Sequence, residues 1–146
     1  MAKRPILTET FINRPVADVW AVLSDPARFG DWNDTFRLKN ADLRPGGKAT
    51  LQIATGGPLP VNVPITFQVV EPGRELRWYG GMPLLGGGSH YFRLNELPDG
   101  STQVIHGEDF DVPGLGVIWD FVVARIREEY QRVADQLRDY MHAQAE

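Results

Sequence analysis

Trp119-Asp120-Phe121-Val122-Val123-Ala124-Arg125-Ile126-Arg127-Glu128-Glu129-Tyr130-Gln131-Arg132-Val133-Ala134-Asp135-Gln136-Leu137-Arg138-Asp139-Tyr140-Met141 is the stretch that decides the fold. Trp119, Val122, Val123, Ile126, Tyr130, Val133, Leu137 and Met141 recur at helical spacing. Arg125, Arg127, Glu128, Glu129, Arg132, Asp135 and Arg138 occupy much of the rest. The pattern is a helix with one apolar stripe. It starts after Pro113-Gly114-Leu115-Gly116, and roughly 27 residues of it would span about 40 Å. A helix that long in a chain of 146 residues must lay its stripe on a large apolar surface.

The surface comes from the segment before it. From Thr35 to about Val112 the apolar period is two. Phe36 and Leu38, Leu51 and Ile53, and Ile65, Phe67 and Val69 alternate with polar neighbours. So do Leu76 and Trp78, Phe92 and Leu94, and Val104, His106, Glu108 and Phe110 with the residues between them. Turn signals fall at Pro45-Gly46-Gly47, Gly56-Gly57-Pro58, Pro72-Gly73, Gly86-Gly87-Gly88 and Pro98-Asp99-Gly100. These six segments read as an antiparallel meander with one buried face. Upstream, Ile6 to Ile12 is β-prone and Asn13-Arg14-Pro15 stops it. Pro15 suits the first turn of a short helix bearing Val16, Val19, Trp20 and Leu23. Ser24-Asp25-Pro26 ends that helix and starts a second, Ala27 to Phe29, which Gly30 breaks.

The expectation is therefore one α+β domain over residues 1–146. A curved seven-stranded antiparallel sheet wraps round the long C-terminal helix, with two short helices after the first strand. Incomplete wrapping leaves a cavity.

Composition narrows the partners. Apolar residues make up 42% and charged residues 23%, a globular balance. The net charge of −4 argues against a nucleic-acid groove. Without cysteine there is no disulfide, thiolate metal site or cysteine nucleophile. No run approaches the ~18 to 20 apolar residues of a membrane span. Met1-Ala2-Lys3-Arg4-Pro5 has no apolar run behind it, so no signal peptide is expected and the cytoplasm is the default.

The element order resembles the helix-grip fold of the START-like superfamily, also called SRPBCC, which includes birch-pollen-allergen-like and polyketide cyclase/dehydrase proteins. Ile12-Asn13-Arg14-Pro15-Val16-Ala17-Asp18-Val19-Trp20 is similar to its strand-then-helix opening. Leu23-Ser24-Asp25-Pro26-Ala27-Arg28-Phe29-Gly30-Asp31-Trp32-Asn33 resembles its second-helix region. His90-Tyr91-Phe92-Arg93-Leu94 and Thr102-Gln103-Val104-Ile105-His106-Gly107-Glu108-Asp109-Phe110 resemble its last two strands. The resemblance covers nearly the whole chain, but Trp32-Asn33-Asp34 departs from the family's Trp-Asn-Pro. It implies a fold whose members carry lipids or hormones or cyclise polyketides, and it implies no metal and no cofactor. Fold shared this widely does not assign activity.

Alternation carries polar residues inward as well. His106 and Glu108 share a face with Val104 and Phe110, spaced about 7 Å apart along the strand. His90 shares its face with Phe92 and Leu94, and Trp78 lies one strand further on. Glu108 or His106 is a candidate general base or acid, or an anchor for a polar ligand atom. The plainer alternative is that they bond one another or neighbouring backbone and close one end of the core. Trp78, His90, Phe92, His106, Glu108, Phe110, Trp119 and Tyr130 are the expected ligand-binding residues. A zinc site at His90, His106 and Glu108 lacks compact ligand spacing, so none is expected.

Arg125, near the edge of the stripe, could meet a ligand carboxylate or simply stay solvated. Gly80-Gly81-Met82-Pro83-Leu84-Leu85 puts apolar residues at a hairpin tip, to cap the cavity mouth or join a second copy in a homodimer. Gly56-Gly57-Pro58-Leu59-Pro60 reads as a loop at the rim.

Three functions follow. The first is binding a small hydrophobic or polycyclic molecule. The second is a polyketide cyclase/dehydrase-type enzyme, a lyase or isomerase with an inward His or Glu moving a proton. The third is a protein-interaction module with a collapsed cavity.

Overall fold

The alternating segments become seven antiparallel strands in a computed structural model that describes residues 2–54, 56–82, 86–112 and 116–144, the side chains at 2–5, 82, 86, 111–112 and 116–123 excepted. They are β1 (Ala2–Ile12), β2 (Phe36–Lys39), β3 (Lys48–Ile53), β4 (Val61–Glu71), β5 (Glu75–Met82), β6 (Gly86–Glu96) and β7 (Thr102–Val112). The sheet order is β1-β7-β6-β5-β4-β3-β2, a meander from β2 to β7 that β1 joins at the far edge. Burial follows the period of two. Leu76, Trp78, Phe92, Leu94, Val104 and His106 are at most 4% exposed, and all lie on the inner face. In β4, Phe67 pairs with Trp78 but Val69 pairs with Arg77, so Gln68 is an extra residue. Such a bulge sharpens the local twist and helps the sheet curl. The β4–β5 and β6–β7 turns use Gly73 and Gly100 at φ 75° and 85°, where a side chain would be strained.

Two short helices follow β1: α1 (Val16–Leu23) and, after a single 3-10 turn at Pro26–Arg28, α2 (Phe29–Trp32). Gly30 does not end the second helix but lies inside it. One glycine costs a four-residue helix little, and a Cβ there would come 2.7 Å from the Nε of Arg37, which crosses above it. Gly86-Gly87-Gly88 is also not a turn. These glycines begin β6, opposite Met82, Gly81 and Gly80. Glycine is depleted in strands, so the run looked like punctuation. Pro83, Leu84 and Leu85, the expected cap or dimer contact, lie outside the described residues.

The long helix, α3 (Gly116–Ala143), lies across the concave face. Its C-terminal half is closely packed: Val133, Ala134, Leu137 and Met141 are at most 1% exposed. Val133, Leu137 and Met141 join one core with Ile12, Leu23, Phe29 and Trp32. Polar ties hold that end in place. Arg14 Nη1 donates to the Met141 carbonyl at 3.0 Å, the Asn13 N–H to His142 Nε2 at 3.0 Å, and Arg28 Nη2 to the Tyr140 hydroxyl at 2.8 Å. Among the described residues no helix is long and apolar enough to cross a membrane.

Candidate functional site

Strand register assembles the polar wall. His90 stands opposite Glu108, and Phe92 opposite His106, across β6 and β7. Trp78 of β5 stands opposite His90 and stacks on it, with ring centres 4.2 Å apart. On the helix side, the Tyr130 ring lies flat on the His106 ring at 4.6 Å. Phe92 lies flat on the other side of His106 at 4.3 Å. His106 is thus sandwiched and fully buried.

The hydrogen bonds fix the protons. His106 Nδ1 is 3.0 Å from the main-chain carbonyl of Tyr130, which can only accept, so Nδ1 carries the hydrogen. Burial holds His106 down at about 4, neutral at ordinary pH. Its Nε2 is then a lone pair, and the His90 Nε2–H donates to it at 2.6 Å. Burial, then the His106 ring, then Arg77, hold His90 well below the usual imidazole range. His90 Nδ1 is left as a buried lone pair without a partner. This single tautomer chain ties β6 to β7 and β7 to α3.

Glu108 is the titratable group of the wall. Burial pushes it up to about 7, against the Tyr130 hydroxyl that donates to Oε1. The same burial, with the carboxylate beside it, keeps Tyr130 protonated far above 10. Gly88 matters here. A Cβ at that position would collide with Glu108 Oε2, so a bare backbone lets the carboxylate lie across β6.

These groups line a cavity of about 820 Å³ between the sheet and the middle of α3. Leu51, Ile53, Val63, Ile65, Trp78, Phe110 and Ile126 supply apolar walls, and Gly80, Gly81, Gly87 and Gly88 a strip without side chains. Asp34, Thr35, Gly56, Glu129 and Arg132 also line it. Arg132 bonds both Asp34 and Glu129, so a charged strap joins the α2–β2 turn to α3. Asn33 shapes that turn, its Oδ1 accepting from the Thr35 and Phe36 N–H groups at 3.0 and 2.9 Å.

Of the residues expected from sequence, Trp78, His90, His106, Glu108, Phe110 and Tyr130 come together around the cavity. Phe92 does not line it; fully buried, it backs the His106 ring from within the core. The Trp119 side chain lies outside the described residues. Arg125 is exposed and away from the wall, and Arg132 stands there instead. Phe36, Asp34, Leu51, Ile53 and Ile65 were read as strand or turn only, and Val63 was not singled out. Of the features noted in the sequence, Asp34 at the position of the family's proline and Gly56 in the expected rim loop both fall on this lining. Among the described residues no group of three or more His, Asp or Glu side chains is arranged to hold a metal ion.

The family described as polyketide cyclase/dehydrase and lipid transport matches residues 5–142. No curated protein matches the sequence. Solved structures resemble it in fold. A protein of Thermus thermophilus aligns with a TM-score of 0.77 at 12% identity, over 98% of this chain and 100% of its own. The Zhui aromatase/cyclase of Streptomyces sp. R1128 aligns at 0.76 and 17% identity, over 99% and 97%. Ara h 8.0201 aligns at 0.73 and 13% identity, over 97% and 99%.

Proposed function

The chain belongs to the polyketide cyclase/dehydrase and lipid transport family, of SRPBCC type, and from that premise we propose that it holds a small, largely apolar ligand in the cavity under α3. The observation that carries this reading is the cavity. Its volume of about 820 Å³ lies within the ~300 to 1,000 Å³ typical of small-molecule sites. Apolar walls with a few convergent polar groups at one side are also the usual make-up of such sites. An open cavity gives no support to a protein-interaction module with a collapsed interior. His106, with both ring nitrogens engaged, is a positioning residue that holds Tyr130 and His90.

The test is titration with naphthalene and anthracene, followed by tryptophan fluorescence and melting temperature. Both should change on binding, and Trp78→Phe should reduce the fluorescence response. A panel that leaves both quantities unchanged defeats the reading.

One observation favours a second role. A carboxyl held at about 7 can give or take a proton near neutral pH, and Glu108 lies on the cavity wall. In a cyclase/dehydrase-type enzyme this group would move the proton. Glu108→Gln keeps the volume and removes the basicity. An acid–base role then requires a folded variant that binds substrate but loses turnover by about 10²-fold or more. Turnover equal to the parent's removes that role.

A further inference from the structure

The imidazole and phenol donors of the cavity wall are committed within it. The His106 Nδ1–H goes to the Tyr130 carbonyl, the His90 Nε2–H to His106, and the Tyr130 O–H to Glu108. At the rim, the Arg132 guanidinium is shared between Glu129, at 2.8 Å, and Asp34. The Thr35 hydroxyl also points to Asp34, at 3.4 Å. What remains at the inner wall are acceptors: the second oxygen of Glu108, next to Gly88, and the bare Nδ1 of His90.

Charge says the same thing independently. Among the described residues lining the cavity there are three carboxylates, Asp34, Glu108 and Glu129, against one guanidinium, Arg132. An anionic ligand would enter a negative field and find no uncommitted cation among them. A ligand bearing only acceptors would leave the Glu108 oxygen desolvated and unpaired, a cost comparable to a lost hydrogen bond to a charged group.

We propose that the ligand is a neutral or cationic molecule that presents a hydroxyl or amino group on an apolar skeleton to the Glu108 carboxylate, and that the cavity discriminates against carboxylate-bearing ligands such as fatty-acid anions. This rests on the ligand-holding function proposed above. It adds which polar group the ligand must carry and which it must not.

Three compounds on one skeleton separate the cases: 2-naphthol, 2-methoxynaphthalene and 2-naphthoate. They are titrated calorimetrically into the full chain at pH 8, where a carboxyl titrating at about 7 is mostly ionised. The naphthol should bind at least about tenfold more tightly than the methyl ether, and the naphthoate more weakly than either. Glu108→Gln supplies the decisive arm. With the Tyr130 hydroxyl donating to its amide oxygen, the variant turns the remaining position into an N–H donor. The naphthol-to-ether ratio should then fall toward one, and the naphthoate should gain. A ratio measured within one variant is insensitive to general loss of stability. Naphthoate binding as tightly as naphthol, or a ratio unchanged in Glu108→Gln, overturns the proposal while leaving ligand binding intact. Absence of binding by all three compounds overturns the ligand-holding function itself, and this proposal with it.

Discussion

The two ends of α3 meet the same sheet in opposite ways. At the C-terminal end, Leu137 and Met141 sink into a core of Ile12, Leu23, Phe29 and Trp32, and almost nothing is exposed. Rings close the gaps, Phe29 lying 5.3 Å from Trp32 and 5.7 Å from Phe36. Around Ile126 and Tyr130 the helix instead faces Gly80, Gly81, Gly87 and Gly88 across open space. The difference is one of side-chain volume on a shared scaffold. Large apolar residues facing the stripe make a core, and glycines facing it make a cavity. The polar residues sit where the volume is missing, because there a buried donor or acceptor has room to meet a ligand.

The sharpest way to break this contrast is to truncate one side chain at each end. Leu137→Ala leaves a void in a region with no slack and should cost about 2 to 5 kcal/mol by chemical denaturation. Ile126 is only half-buried and already borders the cavity. Ile126→Ala should cost about 1 kcal/mol, since it loses transfer energy but opens little new void. Equal losses would mean that the cavity end is as tightly filled as the core.

Acidity distinguishes the ends next. His106, held down at about 4 from an ordinary 6.5, contributes stability that is full above 6.5 and lost as pH falls toward 4. His90 acts in the same direction. Glu108, raised from 4.5 to about 7, contributes stability that is full below 4.5 and lost as pH rises past 7. Unfolded histidine is still half protonated at pH 6.5, so between pH 6.5 and 8 the two histidines regain roughly what Glu108 loses, and the parent should stay about level. Glu108→Gln removes the opposing slope and should gain on the order of 1 kcal/mol over the same interval. Identical pH profiles for the two proteins would show that Glu108 is not held in a desolvated wall.

How far the sequence reveals these two ends depends on which force acts on each residue. Alternation in β5, β6 and β7 was legible because a one-residue slip would expose Trp78, Phe92 and Val104 together. It carried His90, His106 and Glu108 to the inner face as a consequence. The His90–His106 hydrogen bond was not legible. It runs diagonally, since His90 is paired with Glu108 and His106 with Phe92, and cross-strand register is not written in either strand alone. Arg125 was placed at the right angle round the helix but at the wrong height. Arg132 follows it by seven residues, about two turns, on the same side, and only the tertiary position of the rim selects between them. The glycines at 86–88 misled because local propensity marks a turn, while here backbone pairing with Met82, Gly81 and Gly80 extends the strand.

The smallest expected effect on stability lies at the rim, where Asp34 takes the place of the family's proline. Asp34 and Arg132 are 59% and 47% exposed, so water and salt screen their pairing. Gln136 Nε2 also donates to Asp34, at 3.2 Å, which keeps the contact local to one face of α3. Asp34→Ala should leave the melting temperature within about 3 °C of the parent's. The strap, however, lies on the cavity lining and ties a turn to the helix across it. Releasing it frees the Arg132 side chain and the turn, so naphthalene should associate severalfold faster, with a smaller change in affinity. Stopped-flow fluorescence at matched ionic strength measures both. A large fall in melting temperature would make the pair part of the core's support, and an unchanged association rate would place ligand access elsewhere on the cavity.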